Sequence, residues 1–168
     1  NKSYTQKKHA NSRTLVRGYY YKTEVIPYTK GYSYMGNKSG EESVVEYTQK
    51  YFPKIMQLLK KNNCQVVFLC LPSRTSWSYQ KHNTVQRYAE QYHVPYLDMN
   101  IDSFDTGFDW KTDTRDAGNH LNHSGATKIT KFLGEYLDNH YSLIDHHSNP
   151  QFSDWNEDYQ NFVSKILQ

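Results

Sequence analysis

A chain of 168 residues is long enough to bury one hydrophobic core and too short for two independent ones. Its polar composition contains no apolar run near the ~20 residues that cross a bilayer, so no membrane segment is expected in it. A net charge of +3 is too mild to argue for nucleic acid, and the basic residues gathered at the start (Lys2, Lys7, Lys8, Arg13, Arg17) read as a solvated or disordered terminus sooner than as a contact for an anionic polymer.

The chain opens at Asn1 without a basic-then-apolar leader, which reads as a processed product or a cut domain. Residues 1–43 show no helical period. Tyrosines and β-branched residues mix there with Gly18, Pro27, Gly31 and Gly36, so an irregular or hairpin segment is expected. From Glu41 to Asn62 apolar residues recur at Val44, Val45, Tyr51, Phe52, Ile55, Leu58 and Leu59, a helical stripe in which Pro53 marks a kink or a fresh first turn. QVVFLCLPS (65–73) follows, continuous and β-branched, and reads as a strand buried on both faces and ended by Pro72. Cys64 and Cys70 lie six residues apart on this run, roughly 20 Å in extended chain, and read as buried small hydrophobes rather than a disulfide.

Tyr79, Val85, Tyr88, Ala89 and Tyr92 share the next helical face, and VPYLDMN (94–100) is a second short strand closed by an acid and an amide. Helix, strand, helix, strand is the grammar of a parallel sheet with right-handed crossovers. The two strands, 66–71 and 95–98, are expected to be neighbours. After a polar loop, Ala126, Ile129, Phe132, Leu133, Tyr136 and Leu137 define another helix, with Asn122 or His123 as its cap. A last helix from about Asp154 carries Trp155, Tyr159, Phe162, Val163 and Ile166 on one face.

The chemistry concentrates in DTRDAGNHLNHSGATKITKFL (113–133), just ahead of that capped helix. Reactive groups in open α/β sheets gather where strands end and helices begin. A carboxylate accepting from one ring nitrogen of a histidine fixes its tautomer and frees the other nitrogen as a base. Asp116 and His120, four apart with Gly118 between them, can form that pair; a capping loop that holds both residues by chance is the competing reading. Ser73 ends the first strand, the place of a strand-end nucleophile or of a turn after Pro72, and His82 and Asn83 stand on the following helix as candidate substrate contacts or plain helical surface.

The order of these residues resembles a family. The acid, then His120, Leu121 and Asn122, then Gly125, Ala126 and Lys128 opening the helix resemble the terminal block of the SGNH (GDSL-type) hydrolases, in particular their bacterial cell-envelope branch. LPSRTSWSYQKHNTVQRYAEQYHVPYLDMN and YLDNHYSLIDHHSNPQFSDWNEDY are similar to the segments before and after that block, so the resemblance covers about residues 44–160. It implies a flavodoxin-like three-layer α/β/α fold with a parallel sheet over 44–168. It also implies ester hydrolysis or O-acyl transfer on an acylated glycan or envelope polymer, outside the cytoplasm, with no metal or other cofactor. In the family a serine attacks, the histidine is general base and the acid orients it, which carries over to His120 and Asp116; Ser73, His82, Asn83, Asn119 and Asn122 would face substrate.

Two departures matter. The family leaves two residues between acid and histidine, and DAGNH leaves three. The Gly-Asp-Ser or Gly-Ser-Ser element and the oxyanion glycine and asparagine have no counterpart in residues 1–43, so the chain is inferred to be the C-terminal part of a longer protein with an incomplete sheet. The open sheet edge would be covered by residues 14–34 or paired with another copy, and the reading leaves room for an anchor upstream of Asn1. Against this stands a different class, a binding module whose 16 tyrosines and 3 tryptophans form an aromatic platform for sugars. A zinc site finds little support, since among 8 histidines no HxxxH or HExxH pair lies on one helix and Asp145, His146 and His147 are adjacent.

Overall fold

The computed structural model describes residues 18–101 and 103–166. Four α-helices and two strands follow in the order α1 (Glu46–Lys61), β1 (Phe68–Cys70), α2 (Tyr79–Tyr92), β2 (Tyr96–Asp98), α3 (His123–His140) and α4 (Ser153–Ile166). Single 3-10 turns occupy Gly31–Met35 and Pro150–Phe152. The described residues fall into two compact units, Thr23–Phe132 and the described parts of Asn1–Lys22 with Leu133–Gln168. The basic cluster from Lys2 to Arg17 lies outside the described residues.

In the first unit β1 and β2 pair in parallel, with Phe68 opposite Tyr96, Leu69 opposite Leu97 and Cys70 opposite Asp98. The connection between them is α2, as the alternation of helix and strand requires. The fold is therefore mixed α/β with a small parallel sheet, which among the described residues has two strands. Phe52 of α1 meets Phe68 of β1 and Tyr88 and Tyr92 of α2 at ring-centre distances of 5.1 to 5.6 Å, all edge to face. One aromatic side chain thus joins both helices to one sheet face.

Two helices start on a side-chain cap. Ser78 caps α2 by accepting from the Lys81 N–H, and His93 ends it in the left-handed conformation at φ 55°. Asn122 caps α3 by accepting from the Gly125 N–H at 3.0 Å. Helix α1 has Glu46 in its first turn and Lys60 and Lys61 in its last, which complements the helix dipole. Pro53 lies inside α1 and the helix runs on through it; the loss is one backbone bond, since Gln49 has no donor four residues on.

Two expectations about β1 are corrected. Its ladder is three residues long, because its only partner in the described chain is the equally short β2. Nor is it buried on both faces: Leu69 and Leu71 are 38% and 46% exposed. Cys70 is half-buried, and burial with the nearby Asp98 charge pushes its thiol up to about 12, against the hydrogen bond from Tyr96. Cys64, expected in the core, is exposed in the turn after α1, and neither cysteine is in a disulfide. Helix α1 is likewise covered on one side only. Tyr47, Tyr51, Ile55 and Leu58, spaced four, four and three apart, are all exposed.

Residues 18–43 contain no strand. The segment around Ile26 and Tyr28 instead follows the loop before α3: the Ile26 N–H donates to Thr114 O at 3.0 Å, the Tyr28 N–H to Trp110 O at 2.9 Å, and the Ala117 N–H to Ile26 O at 3.1 Å. Among the described residues no backbone hydrogen bond joins it to β1, and residues 14–17 of the expected edge cover lie outside the described residues. Tyr28, Trp110 and Met35 are buried here, with Tyr28 and Tyr34 edge-on to Trp110. In the second unit Tyr19 and Tyr21 meet Phe162 of α4 edge to face.

Candidate active site

The loops beyond the C-terminal ends of both strands hold the polar residues of the chain's centre. At the end of β2, Asp98 is 1% exposed and accepts on Oδ2 from Trp77 Nε1 at 2.7 Å, His82 Nδ1 at 2.7 Å and Tyr96 OH at 2.9 Å. Its Oδ1 accepts from the backbone and side-chain nitrogens of Asn100, each at 2.9 Å. Asn100, fully buried, donates also to Leu71 O, and its Oδ1 accepts from Tyr34 OH and the Ser73 N–H at 2.8 Å. Every polar atom of the Asn100 side chain is engaged. This amide therefore bolts the end of β1 to the end of β2 and sets where Ser73 emerges. Burial, followed by neighbouring phenols, thiol and the Asp98 charge, holds the Tyr34 and Tyr96 hydroxyls protonated.

The loop before α3 rests on a second buried acid. Asp113, also fully buried, accepts from the Asp109 N–H, Lys128 Nζ and Ser124 Oγ at 2.7 to 2.8 Å. Burial raises its pKa, and these donors together with the Lys128 charge outweigh that and hold the carboxyl below the usual range. Gly125 makes the approach feasible: a Cβ there would stand 2.4 Å from Asp113 O.

On this support the Asp116–His120 pair is built. His120 Nδ1 lies 2.5 Å from Asp116 Oδ2, while Asp116 Oδ1 accepts from the backbone N–H of His120 at 2.7 Å and of Asn119 at 3.0 Å. The extra residue between acid and histidine is taken up by the backbone, since Ala117 and Gly118 both adopt positive φ, 57° and 95°. That coil brings the carboxylate back under the ring. Burial pushes the Asp116 carboxyl up, but the donors from His120 and Asn119 prevail and leave it lowered. The pair is open to solvent, with side chains 37% and 56% exposed. Among the described residues no hydrogen bond reaches His120 Nε2. With Nδ1 donating to Asp116, Nε2 is the atom left to accept a proton.

Of the other candidates, Ser73 and Asn119 join this pair. Ser73 Oγ donates to Asn119 Oδ1 at 3.2 Å, Thr75 Oγ1 bonds to the same oxygen, and Asn119 Nδ2 lies 3.3 Å from His120 Nδ1. Ser73 is therefore bonded to Asn119 but not to the histidine: with Nδ1 donating to Asp116, the Asn119 amide nitrogen, also a donor, lies against the ring without bonding it. His82 is bonded to Asp98 through Nδ1. Asn83 is elsewhere, donating to the carbonyls of Lys38 and Gly40. Asn122 is 2% exposed and is spent on the α3 cap and on the carbonyls of Thr112 and Glu24, so it shapes the loop from within rather than facing a ligand. The residues that sequence reasoning missed are Asp98, Asn100, Tyr34 and Thr75. The acid and amide closing VPYLDMN were the visible signal for the first two.

Among the described residues no group of three or more His, Cys, Asp or Glu is placed to hold a metal ion, and no helix is long and apolar enough to cross a membrane. The exposed Asp145–His147 contact, 2.5 Å, involves neighbours in one turn. Comparisons with protein-family models, with curated proteins and with solved structures return no match to this chain.

Proposed function

We propose that this chain is the C-terminal portion of an SGNH-type ester hydrolase or O-acyltransferase, in which His120 is the general base and Asp116 its orienting acid. The domain would be a flavodoxin-like three-layer α/β/α sandwich, and the substrate an acylated glycan or polymer of the cell envelope, outside the cytoplasm. The observation that carries this reading is the Asp116–His120 bond with Nε2 left unbonded, standing beyond the ends of two parallel strands. A serine supplied from outside this chain would give its proton to Nε2 as its oxygen attacks the acyl carbonyl, and the imidazolium would return that proton to the departing alkoxide. Water then releases the acid, or a second hydroxyl takes the acyl group. The uncovered side of α1 and the exposed Leu69 and Leu71 support a sheet that continues past β1.

The test is turnover of p-nitrophenyl acetate or an acetylated sugar. The 168-residue chain is expected to show none that depends on His120, whereas a version extended upstream through the serine is active and loses activity in His120→Ala. Ester hydrolysis by the short chain, lost on Ser73→Ala, would instead make Ser73 the nucleophile.

One observation favours a second reading, a polymer-binding surface. Tyr47 and Tyr51 on α1 are exposed and stacked at 6.5 Å, with Lys50 and Lys54 ammonium groups near the Tyr51 ring. The tryptophans of the first unit do not add to it, because Trp110 is buried and Trp77 donates inward to Asp98. Sugar binding that survives His120→Ala and disappears in Tyr47→Ala would favour this surface.

A further inference from the structure

Arg74 lies between Ser73 and Thr75, the two residues whose hydroxyls meet Asn119. Its backbone N–H donates to Gly118 O at 2.6 Å, which ties it to the middle of the loop from Asp116 to His120. The contact is close because residue 118 has no side chain: a Cβ there would stand 3.0 Å from Tyr28 Cβ and 3.3 Å from Arg74 Cβ. The guanidinium carbon lies 5.3 Å from the centre of the Tyr28 ring. That ring is itself buried and edge-on to Trp110, so the cation rests on a fixed support.

What marks Arg74 is a buried guanidine nitrogen with no bonding partner and no counter-charge beside it. Among the described residues Lys128 is paired with Asp113 and Arg87 with Glu41, but no carboxylate pairs with Arg74. Asp116, the acid of the adjoining loop, is already engaged by the His120 ring and two backbone N–H groups. The Arg74 Nε is buried and has no hydrogen-bond partner. A half-buried guanidinium keeps a large desolvation cost when unpaired, and its planar fork matches an oxyanion with two parallel bonds.

We propose that Arg74 is a specificity-determining residue that receives an oxyanion of the substrate, a phosphodiester or a sugar carboxylate, next to the acyl ester presented to His120. This rests on the reading of Asp116 and His120 as the reacting pair, and it selects anionic envelope polymers over neutral acetylated glycans. A phosphate and a carboxylate offer the same two-oxygen face to the fork, so the arms of the test separate them.

The 168-residue chain is titrated with sn-glycerol 3-phosphate, with galacturonate and with glycerol, following the backbone amide signals of Arg74 and Gly118 by NMR. At least one anion is expected to bind in a salt-sensitive way while glycerol does not, and the tighter of the two identifies the source. Arg74→Gln should weaken that binding about tenfold or more, the scale of a charge-assisted bidentate contact. Arg74→Lys, which keeps the charge and loses the fork, should fall between, and thermal melts check that both variants are folded. Equal affinity in folded Arg74→Gln and wild type, or no preference for either anion over glycerol, overturns the proposal. Catalysis is scored apart: an extended protein whose turnover ignores His120→Ala removes the reacting-pair reading, whatever the anion titration gives.

Discussion

His82 on α2 donates from Nδ1 to the Oδ2 of Asp98 at the end of β2, across 2.7 Å, and the carboxylate it meets is 1% exposed. Trp77, Tyr96 and Asn100 complete that acceptor's shell. Asp98→Ala would strand several buried donors at once, each worth ~1–3 kcal/mol when left unsatisfied, so a loss of about 3 kcal/mol or more is expected. Asp98→Asn, which keeps one acceptor oxygen, should lose less. Urea unfolding of the two variants gives the order, and a neutral Asp98→Ala would show that the network contributes nothing.

The Asp113–Lys128 pair makes a prediction about acid. The folded pKa of Asp113 lies below its ordinary value, so the folded state binds this proton less readily than the unfolded one. Its stabilisation is complete above the unfolded pKa of about 3.9 and is lost as pH falls through the lower folded value. Wild type should therefore melt higher than Asp113→Asn at pH 7, with the gap closing below about pH 4. A gap that stays constant from pH 7 to pH 2 would mean the charge is not what matters.

Two glycines of α3 should respond oppositely to alanine. Gly125→Ala drives a methyl to within 2.4 Å of a backbone oxygen of Asp113, and rigid backbone cannot yield cheaply; a loss of roughly 2–3 kcal/mol is expected. Around Gly134 nothing lies within 4 Å of a built Cβ, so Gly134→Ala should gain about 0.5–1 kcal/mol from helix propensity. Thermal melts of both variants settle the pair.

For the catalytic reading, Asp116→Asn in an upstream-extended protein should reduce kcat by roughly 10²–10⁴ while the protein stays folded. An amide at this position no longer holds the proton on Nδ1. Since Asp116 is exposed, its melting temperature should change little. Activity unaltered in Asp116→Asn would leave this carboxylate as a turn former, bonding the N–H groups of Asn119 and His120 and nothing more.

The uncovered apolar surface of the 168-residue chain should make it associate. Leu58 and Ile55 on α1, Leu69 on β1 and Leu71 just after it are exposed, and open strand edges invite pairing. Light scattering across a concentration series is expected to show a rising mass, reduced in Leu58→Glu and in Leu69→Lys. A mass that stays monomeric throughout would show that this surface is not sticky.

Much of this was legible in the residues, for identifiable reasons. Helices α2 and α3 announced themselves through periodic stripes, α3 also through a cap at its start, and the Asp116–His120 pair through local spacing. The reach of β1 was overread, because a run such as VVFLCL records apolar character and not the length of the partner strand, and Leu69 and Leu71 emerged exposed. Asn122 looked like a site residue, yet its amide is consumed by carbonyls of Glu24 and Thr112, the first of them 98 positions away. Such a tie leaves no mark in a local window. The buried shell of Asp98 was hidden for the same reason: its donors come from α2, from the loop before it and from Asn100, and only folding collects them.

The two halves of the site differ in how far along the chain their contacts reach. The bond that orients His120 spans four positions, whereas those by which Asn100 fixes Leu71 and Ser73 span 29 and 27, and that from Thr114 to Ile26 spans 88. Short-range closures pay little chain entropy and form early, while distant ones must wait for the chain to come together. The histidine and its acid would then find each other at the start of folding, and the ground they stand on would be levelled last. A refolding experiment that follows the His120 ring and the Trp77 indole separately should see two different clocks.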